Sequence, residues 1–340
     1  MWPQTTQSIA GVLLFGLMTA CANTRPPTES MDPIVAQARD TSLYANSVDW
    51  TVVSARYQEL TKGKTSPVDL RPGLEFLINA LGDRHGAFRS AEDFSIVAAY
   101  SGPPNENDHR DADFVDRVIN DISAQFSYRQ VGSALGYLRV VGIGPGRSVK
   151  ENADQIRAGL LALANRGIKK WIVDLRFNGG GNMNPMIAGL APLIGDGPIG
   201  GLQNAQGERV RHYTIRDGQF FDSGNLVSEM PNQPLIDESQ KVAVLVSRYT
   251  ISSGELVAVA FKGRENTLFI GEPSAGYTTA TGYDQVRDDL FMMISQSVFV
   301  DRNGTPYEHR VGIDIPMIFE PTDSLDDDKQ ISEAVRWLSN

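Results

Sequence analysis

The chain has 340 residues, enough for one large domain or two modest ones, and its apolar and charged fractions are those of a soluble globular protein. A formal net charge of −10, with no Lys/Arg-rich run, argues against a nucleic-acid-binding protein. The four histidines show no metal-ligand spacing such as HxxxH, so we expect neither a metal site nor a cofactor.

The N-terminal residues have the pattern of an export signal. They include the uncharged apolar run IAGVLLFGLMTA, which is of signal-peptide length, and Cys21 follows it directly after Thr19-Ala20. This arrangement resembles a bacterial lipobox, in which the cysteine is lipidated; a signal peptide with an incidental cysteine is the alternative. We therefore expect a signal peptide at 1–20 and a tether at 21–31. The protein would be periplasmic or in the cell envelope, with a lipid anchor to the outer membrane through Cys21.

Residues 32–130 are predicted to form a helical cap. Apolar residues recur at intervals of three and four in DWTVVSARYQELTKG and DLRPGLEFLINALGD, and DFVDRVINDISAQF has a similar amphipathic pattern. In the second of these segments Asp69 is predicted to cap the helix, with Pro72 near its first turn.

From residue 131 to residue 340 the pattern changes to alternating strands and helices. LGYLRVVGI, KKWIVDLRF, KVAVLVS and NTLFIGEP read as strands, separated by helix-like segments such as VKENADQIRAGLLALANRG and MNPMIAGLAPLI. A hairpin is expected to turn at Asn303-Gly304, and SEAVRWL is predicted to be a closing helix. Near-continuous apolar strands between helices predict an α/β core that is covered on both faces.

Two turns in this core carry residues suited to chemistry. In SRYTISSGE, Ser252 and Ser253 lie where a buried strand ends and a helix begins; a capping box completed by Glu255 is the simpler explanation. In VDLRFNGGGN, a buried strand runs into three glycines, which fits a tight turn or an anion-binding nest. The segment has neither the GK[ST] nor the GxGxxG pattern of a phosphate loop.

Two further polar residues are ambiguous when each is taken alone. His85 follows a helix end in LGDRHGAF, where a lone histidine is ordinarily a surface or capping residue. Glu308 follows the expected hairpin in PYEHRVGIDIP, where a charged residue is ordinarily solvated.

These fragments together resemble one family. LGDRH, GYLRV, VDLRFNGGG, SRYTISSGE, GEPSAG and YEHRVGIDIP occur in this order across residues 45–335 and are similar to the tail-specific, or C-terminal-processing, serine peptidases, in particular their tricorn-core-like branch. The resemblance implies a crotonase-like spiral of ββα units with an N-terminal helical cap. It also implies Ser252 as the nucleophile, His85 as its general base and Glu308 as a supporting carboxylate.

By the same resemblance, backbone N–H groups form the oxyanion hole. The donors would be Ser253 and a glycine of the GGG turn, with Gly181 favoured and Gly180 as its neighbour. A helix N-terminus adds partial positive charge there.

The chain departs from the family pattern at several positions. The lysine of the Lys-dependent branch is replaced by Tyr277, and Lys262, the nearest lysine, is expected to be a solvated charge. Tricorn-like members carry a serine where this chain has Arg84, so Asp83 is a candidate to orient the imidazole, although a helix C-cap explains it equally well. Residues 89–134, between the cap motif and the core, are too few for the PDZ domain of the Lys-dependent branch.

The sequence therefore predicts a serine endopeptidase that acts on polypeptides. A non-catalytic peptide-binding or scaffold protein on the same fold is the main alternative, supported by Arg84, since a guanidinium disfavours a protonated imidazole beside it. Acyl-CoA chemistry on a crotonase fold is a further alternative, but it accounts for neither Ser252 nor Glu308.

Overall fold

The computed structural model describes residues 31–103, 125–144, 146–231, 236–237, 239–320, 322 and 324–340. The predicted signal peptide, Cys21 and all of the tether except Met31 lie outside these residues. So does most of the segment DFVDRVINDISAQF.

The described residues form helices and three sheets. The helices are α1 (Pro33–Thr41), α2 (Trp50–Thr61), α3 (Pro67–Leu81), α4 (Val149–Ala164), α5 (Met183–Ile194), α6 (Ser253–Phe261) and α7 (Lys329–Ser339). The strands are β1 (Ala87–Ser90), β2 (Ile96–Ala99), β3 (Ser127–Val131), β4 (Leu135–Arg139), β5 (Lys170–Asp174), β6 (Gly197–Asn204), β7 (Arg209–Arg216), β8 (Gln219–Asp222), β9 (Asn225–Leu226), β10 (Lys241–Val246), β11 (Thr267–Gly271), β12 (Thr279–Thr281), β13 (Asp284–Arg287), β14 (Leu290–Met293), β15 (Ser295–Asp301), β16 (Pro306–Tyr307) and β17 (Ile315–Pro316).

The central sheet has six strands in the order β17-β11-β10-β5-β4-β3, parallel except for β3. Its strands are strongly apolar because helices cover both faces: α4, α5 and α6 pack on one face and α7 on the other. In β10, every residue from Val242 to Val246 is buried. The predicted α/β class is confirmed, whereas the crotonase-like spiral stays an expectation from the resemblance.

A second, antiparallel sheet lies beside this core. Its order is β12-β15-β6-β7-β8-β9, and β16 pairs with β15. The expected hairpin is the β15–β16 connection, in which Gly304 has φ +89°. The strands β6 to β9 follow α5 directly and had no assignment in the sequence, because their glycines and charged residues hide any alternating pattern.

The cap is partly built from the C-terminal half of the chain. Helices α1, α2 and α3 pack on a four-stranded sheet in the order β13-β14-β1-β2, and Phe88, Leu290 and Met292 are fully buried between them. Conversely, β3 pairs with β4 in the core sheet although it begins before residue 131. The predicted division into 32–130 and 131–340 is therefore crossed by strands in both directions.

The expected start of α3 was three residues too late. The N-cap is Ser66, whose hydroxyl accepts a hydrogen bond from the Asp69 N–H at 3.2 Å, and Pro67 occupies the first helical position. Proline's fixed φ favours that position, so the Ser-Pro pair outcompetes Asp69 as the cap. Pro72 lies inside the helix.

Candidate active site

Ser252 occupies a strained turn between β10 and α6. The connecting loop is tied to the end of β5, since the Ser247 hydroxyl donates to the Arg176 carbonyl at 2.7 Å and the Thr250 hydroxyl donates to the Leu175 carbonyl at 2.9 Å. Ser252 then takes φ +52° and ψ −115° as the N-cap residue of α6. Such a conformation costs a non-glycine residue about 1–3 kcal/mol, and residues held this way cluster at functional sites.

The glycine turn after β5 packs directly against this serine. A Cβ on Gly180 would lie 3.1 Å from the Cβ of Ser252, so only glycine, here with φ +93°, permits the approach. Asn178 holds the turn in place, because its carbonyl accepts from the Ile251 N–H at 3.0 Å and its Oδ1 accepts from the Gly180 N–H at 3.1 Å. The Gly180 N–H is therefore engaged, which corrects its assignment as an oxyanion donor.

The other two expected donors remain open. Among the described residues, no group accepts a hydrogen bond from the N–H of Gly181 or from that of Ser253. The two residues are adjacent, since the Ser253 hydroxyl donates to the Gly181 carbonyl at 2.6 Å. Gly181 has φ +103° and its Cα faces the Ile143 carbonyl, which a Cβ would approach to 2.1 Å. Two unpaired N–H groups at a helix N-terminus form a site for negative charge.

Glu255 joins Ser252 to the loop that precedes β12. Its carboxylate is fully buried and accepts from the backbone N–H groups of Ser252, Gly276 and Tyr277 at 2.7, 2.8 and 2.9 Å. It also accepts from the Ser274 hydroxyl at 2.6 Å. Burial raises the pKa of Glu255 to about 7, although these four donors favour the ionised form. The expected capping interaction is thus one part of a larger clamp.

His85 lies on the loop between α3 and β1, and a chain of hydrogen bonds extends from its ring. Its Nδ1 is 3.0 Å from the Thr279 hydroxyl, which is 2.9 Å from the Ser295 hydroxyl. The Ser295 hydroxyl donates to Asp83 Oδ1 at 2.8 Å, and the Ser295 N–H donates to Asp83 Oδ2 at 2.6 Å. Asp83 therefore contacts the imidazole through two hydroxyl groups and not directly.

The surroundings of His85 are aromatic and partly shielded from solvent. The ring of Tyr277 meets the imidazole edge to face, with centroids 5.3 Å apart. Burial lowers the pKa of His85, while the charge of Asp83 and a hydrogen bond with the Thr279 backbone oppose that effect. The guanidinium of Arg84 lies 5.9 Å from the ring centroid of Tyr100, a cation–π contact.

Glu308 shares a cleft with His85 but forms neither a hydrogen bond nor an ion pair with it. The cleft encloses about 850 Å³, and its walls include Tyr44, Arg84 and Tyr277. Glu308 is exposed, and its carboxylate accepts no hydrogen bond from any described residue. A second cleft, of about 350 Å³, is lined by the glycine turn.

Ser252 lines neither cleft and is connected to both. Gly180 contacts it from the second cleft, and Tyr277 is linked to it from the first through the carboxylate of Glu255. Tyr277 thus links two of the predicted groups: its ring meets His85, and its N–H shares the Glu255 carboxylate with the N–H of Ser252. That Ser252 and His85 act together stays a prediction.

Several residues of this site were missed from the sequence. Thr279 and Ser295 lie in no motif and are linked to His85 only because β12 pairs with β15. Because β15 begins with the polar residues SQS, no local signal marks Ser295. The expectation for Lys262 was wrong: its ammonium donates to the Gly312 carbonyl at 2.8 Å and lies 3.5 Å from the ring centroid of Phe269. The ammonium is thus held by a cation–π contact and a carbonyl and is only partly exposed to solvent.

Comparison with protein-family models identifies the family of this chain. The model of peptidase family S41 matches residues 134–317, more than half of the chain, and this span includes the glycine turn, Ser252 and Glu308. The chain belongs to peptidase family S41. His85 lies outside the matched span, in the cap.

Other comparisons find similarity over most of the chain. The nisin-resistance protein of Lactococcus lactis subsp. lactis is 24% identical over 300 residues, which cover 88% of this chain and 82% of that protein. A lipoprotein from Streptococcus agalactiae has a similar fold, with a TM-score of 0.66 and 19% identity over 90% of this chain and 93% of its own.

The photosystem II D1 C-terminal processing protease is also similar in fold. Its TM-score is 0.52, with 15% identity over 84% of this chain and 91% of that one. None of the helices within the described ranges has the length and apolar character needed to span a membrane.

Proposed function

We propose that this S41 family member is a serine endopeptidase that cleaves polypeptides through an acyl-enzyme on Ser252. The observation that carries the proposal is the strained turn at Ser252, with a glycine turn against its Cβ. Beside it lie the N–H groups of Gly181 and Ser253, which find no acceptor among the described residues. A helix cap alone does not require positive φ at the capping residue, which is ordinarily in the extended region.

In the proposed reaction, the Ser252 hydroxyl attacks the carbonyl carbon of the scissile peptide while His85 takes its proton. The N–H groups of Ser253 and Gly181 stabilise the oxyanion, and each such donor contributes about 2.7–4 kcal/mol in comparable sites. Collapse breaks the C–N bond, and His85 gives the proton to the leaving amine. Water then hydrolyses the ester by the same steps and frees Ser252.

Glu308 would act on this reaction through its charge. It lies in the same cleft as His85, so its carboxylate favours the imidazolium that forms during attack. Because it is exposed and makes no hydrogen bond to the described residues, we assign it a supporting effect and no orienting contact.

A fluorophosphonate probe tests the nucleophile. We expect covalent labelling of the wild type and none of Ser252→Ala, with a strong decrease in His85→Ala. His212→Ala is the matched control that keeps labelling, since His212 is exposed on β7. Absence of labelling in every form, with binding of peptides retained, would favour the non-catalytic alternative.

We further propose that the chain is exported and lipidated at Cys21, as its N-terminal sequence indicates. A relative in fold is a lipoprotein, which supports this hypothesis. Metabolic labelling with an alkyne fatty acid should mark the wild type and not Cys21→Ser. Secretion of an unlabelled wild type cut before or after residue 21 would contradict lipidation while leaving export intact.

A further inference from the structure

The hydrogen bonds behind His85 come from three separate segments of the chain. Asp83 and His85 belong to the cap loop, Thr279 to β12 and Ser295 to β15. Asp83 and Ser295 are fully buried, and Thr279 is 5% exposed. The hydrogen bonds His85–Thr279, Thr279–Ser295 and Ser295–Asp83 measure 3.0, 2.9 and 2.8 Å. They therefore run without a break from the imidazole Nδ1 to the carboxylate.

The number of donors that Asp83 accepts fixes the direction of this series of hydrogen bonds. The Asp83 carboxylate receives three donors, which are the N–H groups of His85 and Ser295 and the Ser295 hydroxyl, and an ionised carboxylate can only accept. The single proton of the Ser295 hydroxyl is then committed to Asp83. Its oxygen must therefore accept from Thr279, whose own oxygen must accept from His85.

From this we infer that Asp83, Ser295 and Thr279 are positioning residues that hold His85 with its proton on Nδ1 and its lone pair on Nε2. The inference rests on the proposed function, because it supplies the tautomer that a general base toward Ser252 needs. Both hydroxyls come from strands far from His85 in the sequence.

The relay also stabilises the charge that appears on the ring. When Nε2 takes the proton of Ser252, the Nδ1–H keeps its bond to Thr279, and each hydroxyl is polarised toward the carboxylate of Asp83. No proton has to move along the chain. The other polar groups near the imidazole fit this arrangement. Burial raises the pKa of Tyr44 to about 12, so Tyr44 is neutral. The charged groups of Arg84 and Glu308 lie in the open cleft.

The tautomer can be measured without any assay of peptidase activity. In protein labelled with ¹⁵N-histidine at pH 8, we expect the His85 signals to show a protonated Nδ1 and an unprotonated Nε2, assigned with His85→Asn. In Thr279→Val the signals should shift toward a mixture of tautomers. Thr278→Val is the matched control, since the Thr278 hydroxyl is buried on the preceding residue without a partner in the described structure.

Activity gives the second readout. Thr279→Val should lose on the order of 10²-fold in kcat with KM little changed, as expected for a misdirected base. Thr279→Ser, which keeps the hydroxyl, should restore most of it, and Thr278→Val should stay near the wild type. A purely structural tie between cap and core predicts instead that kcat of each variant follows its thermal stability.

The outcomes separate this inference from the proposed function. An Nε2–H tautomer in the wild type, or a Thr279→Val protein with unchanged tautomer and kcat, overturns the relay. A relay-dependent Nδ1–H tautomer in a protein that never labels with fluorophosphonate upholds the relay and removes the peptidase.

Discussion

At the scale of single residues, the site depends on backbone conformations that the side chains alone do not favour. Ser252 is held at positive φ by bonds from its neighbours, and Gly180 is in contact with its Cβ. Strain of this kind persists only where the surroundings over-determine it. The contact between these two residues is accordingly a sensitive point for activity.

We predict that Gly180→Ala lowers kcat by about 10²-fold, because the added Cβ displaces Ser252 from its position. The stability cost of forcing alanine to φ +93° is roughly 1–2 kcal/mol. Gly63→Ala is the control: its φ is +73° with nothing within 4 Å of a Cβ, so it pays the same conformational cost with activity unchanged. Equal kcat losses in the two variants would show that strain alone, and not contact with Ser252, is responsible.

A second prediction at this scale concerns pH. Burial lowers the pKa of His85 below its ordinary value of 6.5, so the imidazole is neutral, and able to act as base, down to more acidic pH. We expect kcat/KM to rise with pH and to reach half its plateau below pH 6.5, with His212→Ala showing the same midpoint. A midpoint clearly above 6.5 would mean that nearby carboxylates outweigh burial.

At the scale of elements, α7 is fastened to the core by a buried ion pair. The Arg176 guanidinium binds Asp174 at 2.8 Å and Asp328 at 2.7 Å, and each of the three side chains is at most 6% exposed. Asp328 is also the N-cap of α7, accepting from the N–H groups of Gln330 and Ile331. One carboxylate thus both begins the helix and neutralises a buried charge.

We predict that Asp328→Asn lowers the free energy of unfolding by about 3 kcal/mol, because the amide can still cap α7 but leaves Arg176 with one carboxylate. Asp49→Asn is the matched control, since Asp49 caps α2 at an exposed site and forms no ion pair with any described residue. It should change stability by less than about 0.5 kcal/mol. Urea unfolding measures the free energy of unfolding of both variants. Equal losses would show that Asp328 contributes through capping alone and that its ion pair with Arg176 adds nothing.

At the scale of the whole molecule, cap and core are interleaved. Strands β13 and β14 leave the core to complete the cap sheet, and Leu290, Met292 and Ile294 supply fully buried side chains to the cap. In return, the cap contributes Asp83 and His85 to the candidate site.

This interleaving predicts that the cap does not fold alone. A fragment of residues 31–126 lacks half of its sheet and part of its hydrophobic core, so it should show no cooperative thermal transition by circular dichroism. The full chain should unfold cap and core together. A fragment that melts cooperatively, with dispersed NMR signals, would establish the cap as an independent domain.

The elements with strong periodicity could be read from the sequence. Apolar strands such as β5 and β10 and the amphipathic helix α4 lie where their patterns predicted, because burial on both faces leaves a clear signature. The weaker strands β6 to β9 were missed, and the start of α3 was misplaced, where polar or glycine-rich segments hide the period.

Sequence alone was sufficient to name a serine at a strand-to-helix turn, a glycine turn after a buried strand and a histidine after a helix, since each has a local signature. It could not determine which of these groups meet. Thr279 and Ser295 are connected to His85 through strand pairing between distant segments, and the Gly180 N–H is engaged by Asn178. Hydrogen bonds of this kind depend on positions in space, which local propensity does not encode, so only the tertiary structure could assign them.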